Sequence, residues 1–340
     1  MGIAGGDPTT ARRRYADSVR AVRADGLPAL VRQCADGDLL KFAMRAADGA
    51  EVESVIIPME SYRGARWRTL CLSTQVGCRM GCTFCETGRM GLLRNLTASE
   101  IIAQRLLARG LLAERGEYEG SPYRYDGDGI RNLVFMGMGE PLDNFEQLAR
   151  AIEILSDPGG LGFPLSHMTV STVGVRSGLE KLAQWVRQDP QRQKLRLAIS
   201  LHAADDELRS LLVPINRAVP LAELKQLLLA YPLTPRGLFL IQYVLLRGVN
   251  DSPEHARQLA AWCRDLPCVV NLIPYNPQRL PRYESPREET VLVFLQTLRQ
   301  HGIFAKRRRT QGQQLAAACG QLATNTAKMG RYTRLGALSS

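Results

Sequence analysis

No apolar run in the 340 residues approaches the roughly 20 that a bilayer-spanning helix needs, so membrane insertion by that route is excluded. The opening stretch MGIAGGDPTTARRRY lacks the apolar centre of a secretory signal, and a cytoplasmic location is the default expectation. Aromatic residues are scarce at 6%, which argues against an extended base-stacking platform. Acidic residues are too few to balance the basic ones, leaving a formal charge of +11 at pH 7. Two tight basic runs, Arg12-Arg13-Arg14 and Lys306-Arg307-Arg308-Arg309, contribute to that excess. Such a chain suits a polyanionic partner, of which nucleic acid is the commonest. The eight cysteines are too unevenly spaced for a disulfide framework. Cys34, Cys263 and Cys268 read as small buried apolar residues.

Hydrophobic residues make up 45% of the chain, enough for a large core. From about residue 66, short β-rich runs alternate with amphipathic stretches. The runs are RTLCLST, RNLVFMGMG, HMTVST, LRLAISLHA, LFLIQYVLL and CVVNLIPY. Helical patterns lie between and after them, with Asn144, Ser177 and Ser252 as N-cap candidates and Gly302 as a C-terminal stop. Strand–helix alternation at this spacing predicts a parallel sheet with crossover helices. Six units fit an α/β partial (β/α)6 TIM-like barrel over residues 61–305. Before it, residues 1–60 are expected to hold a basic helical segment, to about residue 35, and a β-hairpin turning at Asp48-Gly49. Residues 306–340 form a basic tail carrying Cys319.

Parallel α/β sheets place chemistry at the C-terminal ends of their strands. Here those ends read STQVGC, GMGEPL, STVG, SLHA and IPYNP, all rich in glycine or small polar groups. Five in series predict one shared mouth for a polar ligand.

Cys78, Cys82 and Cys85 follow the first of these strands in the pattern CxxxCxxC. Three thiolates on one loop suit a [4Fe–4S] cluster, with one iron left open for the amino and carboxylate groups of S-adenosylmethionine. Reducing such a pair splits the sulfonium and releases a 5′-deoxyadenosyl radical, chemistry that the cofactors carry and the protein positions. Phe84 is placed to keep water from the cluster. A zinc site completed by Cys71 or a histidine is the competing possibility. Gly139 would allow close backbone approach to the ligand, and Glu140 could accept from its ammonium group.

These motifs, together with VESVIIP, RNLTASEI, LLRGVNDS, NLIPYNP and RRTQGQQLAAACGQL, resemble the radical S-adenosylmethionine adenosine methyltransferases of the RlmN/Cfr type, from about Val52 to Leu322. The resemblance implies a radical SAM core. It also implies methylation of an adenosine, with carbon 2 favoured over carbon 8, in ribosomal or transfer RNA. By it, Cys78, Cys82 and Cys85 hold the cluster. Gly139, Glu140, Ser171, Ser200, Leu201, His202 and Asn276 contact S-adenosylmethionine. Cys319 becomes methylated by one S-adenosylmethionine, and a radical from a second one activates that methyl for addition to the base. Glu53 takes the ring proton, and Cys71 then attacks the Cys319 sulfur to free the RNA, leaving a disulfide that external reductant reopens. An electron donor such as a flavodoxin-type protein is implied as a partner. The segment before Asp38 departs from the family, whose members usually carry a longer helical domain there. Taken alone, Cys71, Cys319, His202 and Glu53 would each read as structural or surface residues. Two other functions fit part of the sequence: another radical enzyme, such as an activase or a small-molecule methylase, or a zinc-bearing RNA-binding protein.

Overall fold

The computed structural model describes residues 28–116, 129–277, 281–308 and 321–322. In chain order the elements are β1 (Ala29–Asp36), β2 (Leu39–Arg45), β3 (Glu51–Glu60), β4 (Arg66–Cys71), β5 (Gln75–Cys78), α1 (Glu86–Met90), β6 (Gly91–Asn95), α2 (Ala98–Glu114), β7 (Ile130–Phe135), α3 (Phe145–Ser156), β8 (Met168–Thr172), α4 (Arg176–Arg187), β9 (Arg196–Ser200), α5 (Asp206–Leu212), α6 (Leu221–Leu229), β10 (Phe239–Leu245), α7 (Pro253–Cys263), β11 (Cys268–Pro274), α8 (Glu288–Gln300) and β12 (Ala305–Arg307).

Ten strands form one sheet in the order β1-β2-β3-β4-β7-β8-β9-β10-β11-β12. From β4 to β12 every pairing is parallel, and helices cross between successive strands. This is the architecture of a partial barrel, and the edge strands β1 and β12 do not pair to close it. The hairpin β2–β3 continues the sheet antiparallel to β4, so it adds to the barrel wall. The first tail residues add a short seventh parallel strand, β12, which the sequence pattern did not suggest.

Five local expectations need correction. Residues 29–36 are a strand rather than a helix, because pairing with β2 satisfies their backbone groups; residues 1–27, with Arg12-Arg13-Arg14, lie outside the described residues. Ser177 sits inside α4, whose N-cap is Val175. Asn144 occupies an N-cap position without capping, since its amide donates to the carbonyls of Thr74 and Leu96 at 2.8 Å each. Ser252 does cap α7, in a reciprocal arrangement with His255. Gly302, with φ +77°, follows the end of α8. Cys34 is exposed and Cys268 half-buried; only Cys263 of that trio is a core residue. Among the described residues, no helix is long and apolar enough to cross a membrane.

The main core fills the space between sheet and helices. A second, smaller apolar cluster lies over the strand ends, where Met80, Cys82 and Phe84 pack on Val173, Leu212, Val213, Val244 and Tyr275. That cluster seats the three-cysteine loop on the mouth of the barrel.

Candidate active site

The loop that carries the thiols is shaped by the small β5–β6 hairpin. Gly77, at φ +77°, lies so close to Gly91 that a Cβ there would come within 1.9 Å of the Gly91 carbonyl oxygen. No larger residue fits. Cys78 ends β5, and Cys82 and Cys85 follow on a turn closed by the Cys85 amide donating to the Cys82 carbonyl at 3.1 Å. All three thiols face a cleft of about 1190 Å³, its open mouth included. Burial pushes the Cys78 thiol up to about 12 and raises those of Cys82 and Cys85 as well. Holding them as thiolates therefore calls for a strongly positive partner.

Among the described residues, no three His, Cys, Asp or Glu side chains converge closely enough to hold one metal ion. A mononuclear zinc needs its donors around a single point. A cluster takes each thiolate on a different iron, so its thiols stand apart around a cage. Three thiols lining one cleft beside polar groups fit a cluster with an added ligand.

The other walls come from successive strand ends. Gly139 and Glu140 follow β7, Ser171 lies on β8, Ser200 ends β9 with His202 just beyond it, and Asn276 follows β11; all of them line the cleft. The Ser171 and Ser200 hydroxyls are 3.3 Å apart. Glu140 is buried, and its carboxylate accepts from the amides of Leu142 (3.1 Å) and Val173 (3.0 Å), tying the end of β7 to that of β8. Burial raises its pKa to about 7. The space beside Gly139 accommodates Gln75, which a Cβ would meet at 2.6 Å, so its smallness serves packing within the protein as well as access to a ligand. His202 adopts a left-handed φ of 64°. Its Nδ1 accepts from the Val244 amide at 3.1 Å, which leaves the proton of the neutral ring on Nε2. Burial lowers its pKa to about 3. The Phe84 ring packs edge-on against it at 4.7 Å.

Leu201 does not line the cleft; its backbone amide donates to the Gln242 carbonyl and its own carbonyl accepts from Arg209. Glu53, on β3, is also set back from the cleft. Its side chain is buried and pairs with Lys41 at 3.0 Å and Arg32 at 3.8 Å, while the Ser73 hydroxyl donates to its carbonyl. Cys71, at the end of β4, is buried and lines the cleft. Cys319 lies outside the described residues. Gln321 and Leu322 follow it, however, and both are buried. The Gln321 amide donates to the Pro277 carbonyl at 2.7 Å, and Leu322 is part of the cleft wall. Arg308 lines the cleft too, whereas Lys306 and Arg307 are exposed and Arg309 is outside the described residues.

A match to the radical SAM superfamily covers residues 72–260, which spans all three cysteines and the ends of β7 to β9. The chain is 44% identical over 309 residues to the dual-specificity RNA methyltransferase RlmN of Lawsonia intracellularis, covering 90% of this chain and 82% of that protein. It is 43% identical over 287 residues to the probable dual-specificity RNA methyltransferase RlmN 1 of Protochlamydia amoebophila, covering 84% and 74%. The chain belongs to the RlmN branch of the radical SAM superfamily. The crystal structure of a radical SAM methyltransferase from Sphaerobacter thermophilus superposes with a TM-score of 0.76 at 37% identity, covering 90% of this chain and 85% of that one. Membership of the superfamily makes a [4Fe–4S] cluster and S-adenosylmethionine its cofactors, and Cys78, Cys82 and Cys85 are the residues that would hold the cluster.

Several residues of this RlmN-type site escaped the motif analysis. Gln75 accepts from the Glu140 amide at 2.9 Å and donates to Asn95 and Asp143. Thr87 donates to the Leu322 carbonyl. Gln242 lines the cleft from β10, and Arg209 lies buried behind the ends of β8 and β9. Gln75 was discoverable, since a polar residue between strand and thiol loop has few non-structural uses. The others carry no local signal.

Proposed function

We propose that the protein methylates an adenosine, at carbon 2, in ribosomal or transfer RNA, through a methylated Cys319 and with two molecules of S-adenosylmethionine. The observation that carries this reading is that Cys71 lines the same cleft as the three-thiol loop, while Leu322, three residues after Cys319, closes it. Cys319 is two residues from Gln321, a reach of at most about 7 Å. A radical enzyme that activates another protein or a small molecule has no use for this second pair of cysteines.

When bound, the cluster and S-adenosylmethionine supply a 5′-deoxyadenosyl radical. The chain's own residues do the rest. Glu140, Ser171, Ser200 and Asn276 orient the cofactor's polar groups. His202, neutral with its proton on Nε2, offers a hydrogen-bond donor, and Phe84 excludes water beside it. Cys319 carries the methyl carbon to the base. Glu53, set behind the cleft wall and paired with Lys41, is the acceptor assigned to the ring proton. Cys71 attacks the Cys319 sulfur, so that an S–S bond forms as the C–S bond to the base breaks; the freed carbon takes a proton to become the methyl group, and an external two-electron reductant returns the disulfide to two thiols. Arg308 at the cleft and the exposed Lys306 and Arg307 suit an approaching phosphate backbone. The adenine leaves its stack to enter, as base-modifying enzymes require. A flavodoxin-type donor supplies electrons, in the cytoplasm.

A Cys319→Ala variant tests the reading. It is expected to cleave S-adenosylmethionine under reductant and to methylate no RNA; full methylation by this variant would exclude the mechanism. Mass spectrometry of RNA from a deletion strain then identifies the modified nucleotide.

A further inference from the structure

Arg209 is among the most deeply buried side chains of the chain, at 0% exposure, and the site chemistry described above does not use it. It lies on α5, directly beneath the cleft. Its guanidinium donates to the carbonyls of Leu201 (3.1 Å), Val173 (2.7 Å) and Ser200 (3.5 Å) and to the amide oxygen of Asn216 (2.7 Å). Three of these acceptors sit at or just past the ends of β8 and β9, the strands that carry Ser171 and Ser200. Among the described residues no carboxylate pairs with it. Asp206, on the same helix, is exposed, and its Oδ1 accepts instead from Asn216 and the Leu221 amide.

A guanidinium stripped of water and bonded only to neutral acceptors is costly unless a negative charge lies nearby. The cysteine loop is the adjacent candidate. The amide of Thr83, next to Cys82, donates to the carbonyl of Leu212 at the end of α5 (3.0 Å). Cys82 and Leu212 also share the small apolar cluster over the strand ends. Burial pulls the pKa of Arg209 down to about 10, and the charge that most opposes this is Cys82, ahead of Asp206.

We propose that Arg209 is a positioning residue of the cofactor site: one guanidinium clamps the ends of β8 and β9, and its buried positive charge, on the helix packed against the Cys82 loop, would favour the reduced, more negative state of a cluster held there. The inference rests on the three-cysteine loop holding a cluster. Net charge and hydrogen bonding around a cluster set its potential. A neutral side chain at position 209 makes reduction harder even where the fold survives.

The test is a redox titration followed by electron paramagnetic resonance on the full-length reconstituted protein, with S-adenosylmethionine binding measured alongside. Arg209→Gln is expected to leave about tenfold less cluster reduced at a fixed potential, a shift of about 59 mV for one electron. Arg209→Lys keeps the charge and loses the several-point clamp. Its potential stays within about twofold of the wild type in reduction equilibrium, while S-adenosylmethionine binds about tenfold more weakly. A wild-type potential in Arg209→Gln overturns the proposal. Should that variant not fold, Arg209→Lys decides alone, and either a potential as displaced as a tenfold loss or undiminished binding overturns it. A wild-type protein that assembles no cluster would instead refute the underlying cofactor site, which separates the two failures.

Discussion

The hydroxyl of Thr87 donates to the main-chain carbonyl of Leu322 at 2.6 Å. Thr87 lies two residues past the last cluster cysteine, and Leu322 three residues past the cysteine expected to carry the methyl group. One hydrogen bond thus ties the three-cysteine loop to the segment proposed to carry the methyl group. A neutral hydrogen bond of this kind is worth about 1 kcal/mol, and the buried carbonyl left behind costs more.

Thr87→Val, close in shape but without the hydroxyl, should therefore uncouple the two halves of the reaction. The ratio of methylated RNA to cleaved S-adenosylmethionine is expected to fall several-fold, with Thr87→Ser restoring it. Chromatographic quantification of 5′-deoxyadenosine against methyladenosine reads this directly. An unchanged ratio in the valine variant would remove the role assigned to this contact.

Gln75 holds the Glu140 amide with its carbonyl oxygen and Asp143 with its amide group. Truncation to alanine leaves the buried Glu140 N–H unsatisfied, at a cost of about 1–3 kcal/mol. Calorimetric titration with S-adenosylmethionine is expected to show weakening of tenfold or more. Melting temperature should drop as well, since the same side chain packs against Gly139.

Glu140 provides a pH dependence with a definite sign. Its pKa is raised from 4.5 to about 7 by burial in the ligand-free protein, whereas a ligand ammonium group favours the carboxylate. Affinity for S-adenosylmethionine should rise with pH up to about 7 and level off above it. The ligand-free fold behaves oppositely: between pH 4.5 and 7 the folded state binds more protons than the unfolded one, so this group's contribution to stability falls as pH rises. Glu140→Gln should abolish both trends. Binding isotherms at pH 6 and pH 8 that coincide for the wild type would contradict this assignment.

His202 acts on stability at acid pH. Its folded pKa is depressed from 6.5 to about 3 by burial, with a further push from Arg209. Below pH 6.5 the unfolded chain takes up a proton that the folded one refuses, so stability is lost as pH falls, by at most about 1.4 kcal/mol per unit. His202→Asn should flatten that slope in denaturant unfolding between pH 6.5 and 5. Asparagine tolerates the left-handed backbone at this position and offers an oxygen to the Val244 amide.

Legibility varied with how local each signal was. The strand carrying Ser171 was readable because β-branched residues cluster in HMTVST, and α7 because Ser252 and Pro253 mark its start. The Ser177 expectation failed because the chain enters α4 through Val175, and a hydroxyl near a helix start does not reveal which residue lies outside it. The strand Ala29–Asp36 has almost no buried side chain. No periodicity announced it, and its register comes wholly from β2. Arg209 reads in isolation as a surface arginine on a short helix; only the packing of α5 under the strand ends buries it.

The three-thiol loop was legible in the sequence, because three thiols within eight positions share one loop in any fold that contains them; the wider run of motifs, and not the thiols alone, separated a cluster from zinc. The six parallel strands β4 and β7 to β11 followed similarly, since alternating apolar runs and amphipathic helices leave a parallel sheet as the economical way to bury both; β1 and β12 at the sheet edges did not. Tertiary structure alone decided which groups meet across the mouth: Gln75 with Glu140, Ser171 with Ser200, Thr87 with Leu322. Those partners are separated by 29 to 235 positions. The Ser171–Ser200 contact depends on the register of β8 on β9, since a shift of one residue turns every side chain to the opposite face; the other two join segments outside the ten-stranded sheet and depend on how these pack over its strand ends.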